Sequence, residues 1–338
     1  MLRRLLARSP ATLGCRTYST LTPPLVDVRS FHEAHGLHSA QSESAREAAA
    51  KAAAAAAREH GLLALPAYGG IPPALVTSAF ESVKHLFQLP MQQKLDLAYR
   101  DVRENVGYIR EGNETPDPEQ AAPDPKEVFQ YQPGKRALPP ELEEPLRALF
   151  DAGMAAGRAT LRCLARSLAL PDDTFARALS TLDQCTLRAV HYRGGTPPLA
   201  NRCGAHTDFG ACTLLLNEHG GPPGLQASDP RSGAWRHVTP PDGAQQGGVG
   251  VAFVNLGGML ERWTNDEVVA TRHRVVAPAD AAEAARSRYV LALFCDADTP
   301  VSLACLPRFQ SGARPARYAP MTAGDYKAMR LGAQTDVE

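Results

Sequence analysis

"GAHTDFGACTLLL", residues Gly204–Leu216, places a histidine and an aspartate two positions apart at the mouth of an apolar run. Side chains at i and i+2 of an extended strand leave the same face, so an imidazole and a carboxylate converge there. With ten histidines in the chain, one such pair arises readily by chance. Its meaning depends on what surrounds it.

The surroundings read as strands. From about residue 181, "QCTLRAVHYRG", "ACTLLLNE", "GLQASD", "AWRHVTP", "GVAFVNLG", "VVATRHRVVAP" and "SRYVLALFCD" are short runs rich in branched and aromatic residues, punctuated by Gly, Pro, Asn and Asp. Such a series, with no helix between its members, predicts an antiparallel sandwich or barrel of the jelly-roll kind. Upstream the period is nearer 3.6. "SESAREAAAKAAAAAAREHG" is a helix by alanine content, with Ser44 and Glu47 spaced as a capping box and Gly61 as its stop. Leu75, Phe80, Val83 and Phe87 recur at near-helical spacing, and "PPELEEPLRALFDAGMAAGRATLRCLARSLAL" predicts a long helix started by prolines. Residues 112–125 are a proline-rich acidic loop. The expected fold is mainly β with a helical N-terminal part: a double-stranded β-helix (jelly roll) core wrapped by N-terminal helices.

A metal site needs a third ligand from another strand. His273 sits inside the apolar run "VVATRHRVVAP", some 65 residues beyond Asp208, and a buried histidine needs a partner. Two imidazoles and one carboxylate form a facial set that suits non-haem Fe(II) and leaves positions open for substrate and O2. A structural zinc site is closed and usually richer in cysteine. Arg288, in "SRYVLALF", is a cation in apolar company and requires an anion. A 2-oxoacid fits, with its far carboxylate on the arginine and its other end on the metal.

At these residues the chain resembles the Fe(II)/2-oxoglutarate-dependent dioxygenases of the isopenicillin-N-synthase-like family, which includes gibberellin oxidases, flavonoid oxidases and aminocyclopropane-carboxylate oxidase. The resemblance runs from about residue 24 to 332. "HGLLALPAYGGIPP" and "NVGYIREGNE" match its N-terminal domain; "DPKEVFQY", "LRAVHYRGG", "HTDFGACTLLL", "PGLQASDPRSGAW", "VAFVNLGGMLERWTN", "TRHRVV", "RYVLALF" and "YAPMTAGDY" follow in family order. It implies His206, Asp208 and His273 as iron ligands and Arg288 as the partner of the distal carboxylate of 2-oxoglutarate. Tyr192 falls near that co-substrate. Asn255 would support core and loop geometry rather than touch a ligand, and Phe209 and the 112–128 loop would border the substrate pocket. The implied reaction hydroxylates or desaturates a small organic molecule with release of succinate and CO2. It needs Fe(II), 2-oxoglutarate and O2, with ascorbate as reductant. The implied domains are an N-terminal dioxygenase-like helical domain over 23–150, a connecting helix over 151–180, the jelly roll over 181–310, and a C-terminal extension over 311–338.

One position departs from the pattern. The family carries Arg-x-Ser where this chain has Arg288-Tyr289-Val290. A lost hydroxyl contact to a charged acceptor costs about 1.5–3 kcal/mol, roughly ten- to a hundredfold in affinity. Ser287 leaves the opposite strand face and cannot replace it. Two other readings therefore stay open: an Fe(II) oxidase that does not use 2-oxoglutarate, and a catalytically silent relative that only binds. His219 and His237 read as turn and surface residues, and Trp263 as a packing aromatic.

Bulk properties narrow the partners. The 338 residues are 44% hydrophobic and 21% charged, with a formal net charge of zero, which gives no footprint for nucleic acid or an anionic membrane. No apolar run approaches a spanning helix. A small-molecule substrate and a monomer are expected. Seven scattered cysteines without a C-x-x-C pair read as reduced thiols. The start, "MLRRLLARSPATLGCRTYSTLTPP", holds Arg3, Arg4, Arg8 and Arg16, with no acid before Asp27. Residues 1–22 thus read as a mitochondrial transit peptide, with Arg16 two residues ahead of a cut after Tyr18; the cytoplasm is the other expected location.

Overall fold

The computed structural model of the chain describes residues 19–32, 40–101, 104–115, 117, 120, 122–242, 244 and 250–332. Residues 1–18, most of the expected leader, lie outside that set. In chain order the strands are β1 (Thr20–Leu21), β2 (Leu62–Pro66), β3 (Gly107–Ile109), β4 (Lys126–Tyr131), β5 (Thr186–Tyr192), β6 (Asn201–His206), β7 (Cys212–Asn217), β8 (Leu225–Ser228), β9 (Trp235–Val238), β10 (Val251–Leu256), β11 (His273–Val276) and β12 (Arg288–Cys295). The helices are α1 (Ala40–Glu59), α2 (Pro73–Gln88), α3 (Met91–Asp96), α4 (Pro140–Ser167), α5 (Asp173–Ala176), α6 (Gly258–Trp263), α7 (Ala281–Ala284) and α8 (Ala323–Gly332).

The strands form two sheets. The major one has the order β2-β10-β7-β12-β5-β4-β3 and the minor one β1-β9-β8-β11-β6. Named neighbours are antiparallel throughout, except that β1 runs parallel to β9. Alternation along β12 explains the layering. Leu291, Leu293 and Cys295 join the main core, while Arg288, Val290, Ala292 and Phe294 face a cavity between the sheets. β5 and β7 split the same way: Leu187, Ala189, Leu214 and Leu216 go to the core, and Arg188, Val190, Thr213 and Leu215 to the cavity.

Helix α4 lies on the outer face of the major sheet. Gly153 and Gly157 share one of its faces, and a Cβ at Gly157 would stand 2.4 Å from Cys295 Sγ. The helix can approach β12 only because both side chains are absent. In α1 the small face Ala49-Ala53-Ala56-Ala57 is buried, a stripe at helical spacing that packs towards α4.

Three details differ from the sequence expectations. Helix α1 starts at Ala40, so Ser44 lies inside it rather than at its cap. Glu43 in that extra turn pairs with Arg166 of α4, a tertiary anchor that outweighs the local capping signal. The N-terminal part is not only helical: β1–β4 come from it, and β4 pairs with β5 from Lys126↔Tyr192 to Tyr131↔Leu187. β2 is buried almost throughout and carries no alternation to mark it as a strand. Finally, Thr20 and Leu21, within the expected leader, pair with His237 and Val238.

Candidate metal centre

The antiparallel pairing of β6 with β11 sets His206 directly across from His273. Their rings lie 4.4 Å apart between centroids. Asp208 is not on the strand. β6 ends at His206, and the carboxylate comes from the connection that follows, so the same-face argument from an extended strand does not apply to it. What positions it is α6. The Gly258 amide donates to the Asp208 carbonyl at 3.0 Å, and the Met259 amide donates to those of Phe209 and Gly210. Gly257 permits that approach, since a Cβ there would meet the Gly210 carbonyl at 2.4 Å. The Nε2 atoms of His206 and His273 each lie 3.8 Å from Asp208 Oδ1. The potential ligand atoms of the three residues all fall within 4.8 Å of one another.

The backbone fixes the imidazole tautomers. His206 Nδ1 is 2.8 Å from the Gly204 carbonyl, and His273 Nδ1 is 3.0 Å from the Thr271 carbonyl. A carbonyl only accepts, so both Nδ1 atoms carry the hydrogen and both Nε2 lone pairs face the shared centre. Burial, the largest influence, holds both imidazoles below their ordinary pKa against the attraction of Asp208. Burial alone would raise Asp208, but the nearby His273 and His206 hold it below the usual carboxylate range. Neutral imidazoles and an ionised carboxylate are the forms that bind a metal.

Asn255, inward-facing on β10, touches the centre. Its Nδ2 lies 3.4 Å from Asp208 Oδ2 and 3.3 Å from His273 Nε2. The sequence reads it as support for core and loop geometry; the structure adds that its one amide bridges two of the three. Arg330 of α8 is a second participant that the sequence did not disclose. Its guanidinium lies over the Phe209 ring at 4.3 Å and donates to the Thr207 carbonyl and hydroxyl at 3.2 and 3.1 Å. It therefore clamps the residue between His206 and Asp208.

The centre opens into a cavity of about 1040 Å³ that also receives Arg288, Tyr192 and Phe209. Arg288 is 3% exposed; its Nη2 donates to Asn217 Oδ1 at 2.6 Å, and its guanidinium stands 5.3 Å above the Tyr192 ring. Its Nη1 is buried with no hydrogen-bond partner. A buried donor of that kind is costly unless an acceptor comes to it. Val290 sits beside it in an aliphatic cluster with Val128, Val190, Cys203 and Val275, so an isopropyl group fills the place of the family hydroxyl. Ser287 bonds His191 and the Gly194 amide on the other side of β12, as expected. Across β5 and β4 the same sheet continues as a polar wall. Arg188 pairs with Glu114 and donates to Gln130 at 3.3 Å, and Lys126 pairs with Asp124 at 2.6 Å. Burial alone would raise Glu114, but Arg188 and Lys126 hold it down to about 2.

The remaining candidates are structural. His219 is exposed in a turn, His237 contacts Gln226 at 3.0 Å, and Trp263 stacks on Phe175. Six cysteines are free and buried, and Cys15 lies outside the described residues.

A double-stranded β core with two histidines and one carboxylate at its open end, and a buried arginine further in, defines the non-haem iron oxygenase class. The chain belongs to the 2-oxoglutarate–Fe(II) oxygenase superfamily: that family's model matches residues 184–297, and the model described as non-haem dioxygenase in morphine synthesis N-terminal matches residues 24–148. Among its relatives is the proline hydroxylase buaE of Petromyces alliaceus, 30% identical over 77% of this chain and 86% of that one. The 2-oxoglutarate-Fe(II) type oxidoreductase hxnY of Emericella nidulans is 25% identical over 90% and 87%. Of solved structures, a full-length Neurospora crassa protein in complex with alpha-KG superposes with a TM-score of 0.76 at 26% identity, covering 92% of this chain and 96% of that one. The protein is a 2-oxoglutarate- and Fe(II)-dependent dioxygenase that uses O2 to hydroxylate or desaturate a small organic molecule, with release of succinate and CO2.

Proposed function

We propose that His206, Asp208 and His273 hold the iron, that Arg288 takes the distal carboxylate of 2-oxoglutarate beside Tyr192, and that the substrate is a compact polar molecule bound against Arg188 and Gln130. The donor set fits Fe(II) in ligand type and protonation. The observation that carries the reading is the unpartnered Arg288 Nη1, buried in the same cavity as the triad. Iron and co-substrate together supply the oxidising power when bound. The chain's own residues orient: backbone carbonyls fix the imidazoles, Asn217 aims the Arg288 fork, and the Arg188–Glu114 pair offers donors and acceptors to a polar substrate.

The test is anaerobic. Fe(II) is added to the purified chain, and 2-oxoglutarate is titrated while the visible iron-to-ketoacid absorption is followed. A saturable band, absent in His273→Ala and weakened at least tenfold in Arg288→Gln, supports the assignment. Iron binding without any band overturns the assignment of Arg288, and no iron binding overturns that of the triad. Substrates are then screened by succinate release, starting with cyclic amino acids and pyrimidine bases. The first follows from the proline hydroxylase relative. The second follows from the Neurospora crassa protein, whose structure in complex with alpha-KG and thymine is 26% identical at a TM-score of 0.74. Release driven only by large apolar substrates would overturn the polar-substrate reading. The Arg-rich start of the chain supports import into mitochondria, with the cut after Tyr18.

A further inference from the structure

Arg202 of β6 is among the largest wholly buried side chains, at 0% exposure. Its Nη2 donates to the carbonyls of Ala284 at 2.8 Å and Arg286 at 3.4 Å, two residues of the turn that leads into Arg288. Its Nε and Nη1 have no partner. Among the described residues no carboxylate pairs with it or with Arg288. The neighbouring cations of the cavity, Lys126 and Arg188, are matched by Asp124 and Glu114. Two buried guanidinium groups are thus left with a surplus of positive charge.

The two are electrostatically linked. Burial lowers the pKa of Arg288, and the like charge of Arg202 lowers it further. Both feel Tyr192. Buried like charges raise the energy of the empty pocket, and an anion placed beside one of them relieves both. Arg202 is not part of the cavity wall; it stands behind it, on the strand that runs from this end of the core to His206. Its reach into the cavity is that of its field.

We infer that Arg202 is a positioning residue for the co-substrate, a second positive charge behind Arg288 that holds the distal carboxylate and offsets the hydroxyl absent at Val290. This rests on the reading of Arg288 given above. The role is selective for charge. It favours a 2-oxoacid that carries a distal carboxylate over one of similar length that ends in a methyl group.

The experiment compares 2-oxoglutarate with 2-oxopentanoate on the Fe(II)-loaded full chain under argon, with affinities measured calorimetrically. In Arg202→Met the 2-oxoglutarate affinity is expected to fall at least tenfold while that of 2-oxopentanoate changes less than threefold. The metal-free Tm is expected to hold or rise, because an unpaired buried charge has been replaced by an apolar group of similar length. Equal losses for both oxoacids, or an unchanged preference for 2-oxoglutarate, overturn the inference. Should Arg202→Met fail to fold, Arg288→Met decides. With Arg202 still in place, a 2-oxoglutarate affinity that falls but keeps a preference of fivefold or more supports the inference, and any smaller preference refutes it. The underlying reading fails separately, if Arg288→Met leaves the 2-oxoglutarate affinity unchanged.

Discussion

Asn255→Leu removes the amide that bridges Asp208 and His273 while keeping the side-chain volume. The two contacts, at 3.4 and 3.3 Å, are long for hydrogen bonds, so each falls at the weak end of the range for bonds to charged or strongly polar acceptors. In the loaded site the Nε2 lone pair of His273 goes to the metal, so only the bond to Asp208 persists; it contributes about 1–1.5 kcal/mol to orienting that carboxylate, roughly five- to twelvefold in metal affinity. Loss of groups that orient metal ligands commonly costs about ten- to a hundredfold, and this single bond falls at the lower end. The fold should barely notice, because the Asn255 Oδ1 is itself buried without a partner, and removing it relieves a desolvation cost. The assay is anaerobic competition for Fe(II) against a chelator of known affinity, with the metal-free Tm measured alongside. An iron affinity within threefold of wild type would refute the reasoning. So would a collapse of Tm with unchanged affinity per folded molecule.

Other expectations concern separate parts of the molecule. Arg330→Ala releases Thr207 and should weaken Fe(II) binding about tenfold, from two hydrogen bonds and a cation–π contact, with partial recovery in Arg330→Lys; chelator competition reads both. Burial alone would raise Glu127, but bonds from His191, Lys94 and Tyr108 hold it down to about 2. Its folded pKa is thus depressed below the ordinary 4.5, so its contribution is present above pH 4.5 and lost as pH falls towards 2. That contribution is roughly 3 kcal/mol, and urea melts should show Glu127→Gln losing less stability than wild type across that window. Gly157→Ala drives a methyl group into Cys295 Sγ and should cost about 1–3 kcal/mol by thermal melt, relieved when Cys295→Ala is added. Incubation with isolated mitochondria should yield a protease-protected product shortened by the 18 residues up to Tyr18; an uncleaved, unprotected chain would exclude import.

The site was legible where chemistry forces rare residues into apolar strands. His206, His273 and Arg288 each stood out because a charged or titratable group in such a run needs a partner, and the structure brings all three to one cavity. Asn255 carried the same signal, a lone amide in "VAFVNLGG", and its role went unread because amides also serve as core supports. Arg202 and Arg330 gave no such signal. In "LANRCGAH" and "DYKAMRLG" an arginine is ordinary surface composition, and only tertiary packing buries the first and aims the second at Thr207. The jelly roll could be read from period-2 runs, but β2 could not, since a strand covered on both faces has no alternation. The position of Asp208 off the strand follows from the docking of α6, a contact between segments about fifty residues apart that no local pattern encodes.

The strand β6 forms one margin of the minor sheet, paired with a strand on one side only while its Gly204 and Ala205 amides donate to the Asp124 and Asp117 carboxylates, and its register with β11 is already broken twice between His273 and Val276. A margin of this kind is the weakest place in a sheet. It carries one triad residue, leads directly into a second, and faces the third across a single rung of the ladder. Loading the triad would tack that margin down, so iron status and the local breathing of β6 become one equilibrium. Amide exchange along Asn201–His206 would then serve as a gauge of iron occupancy, readable before any substrate is known.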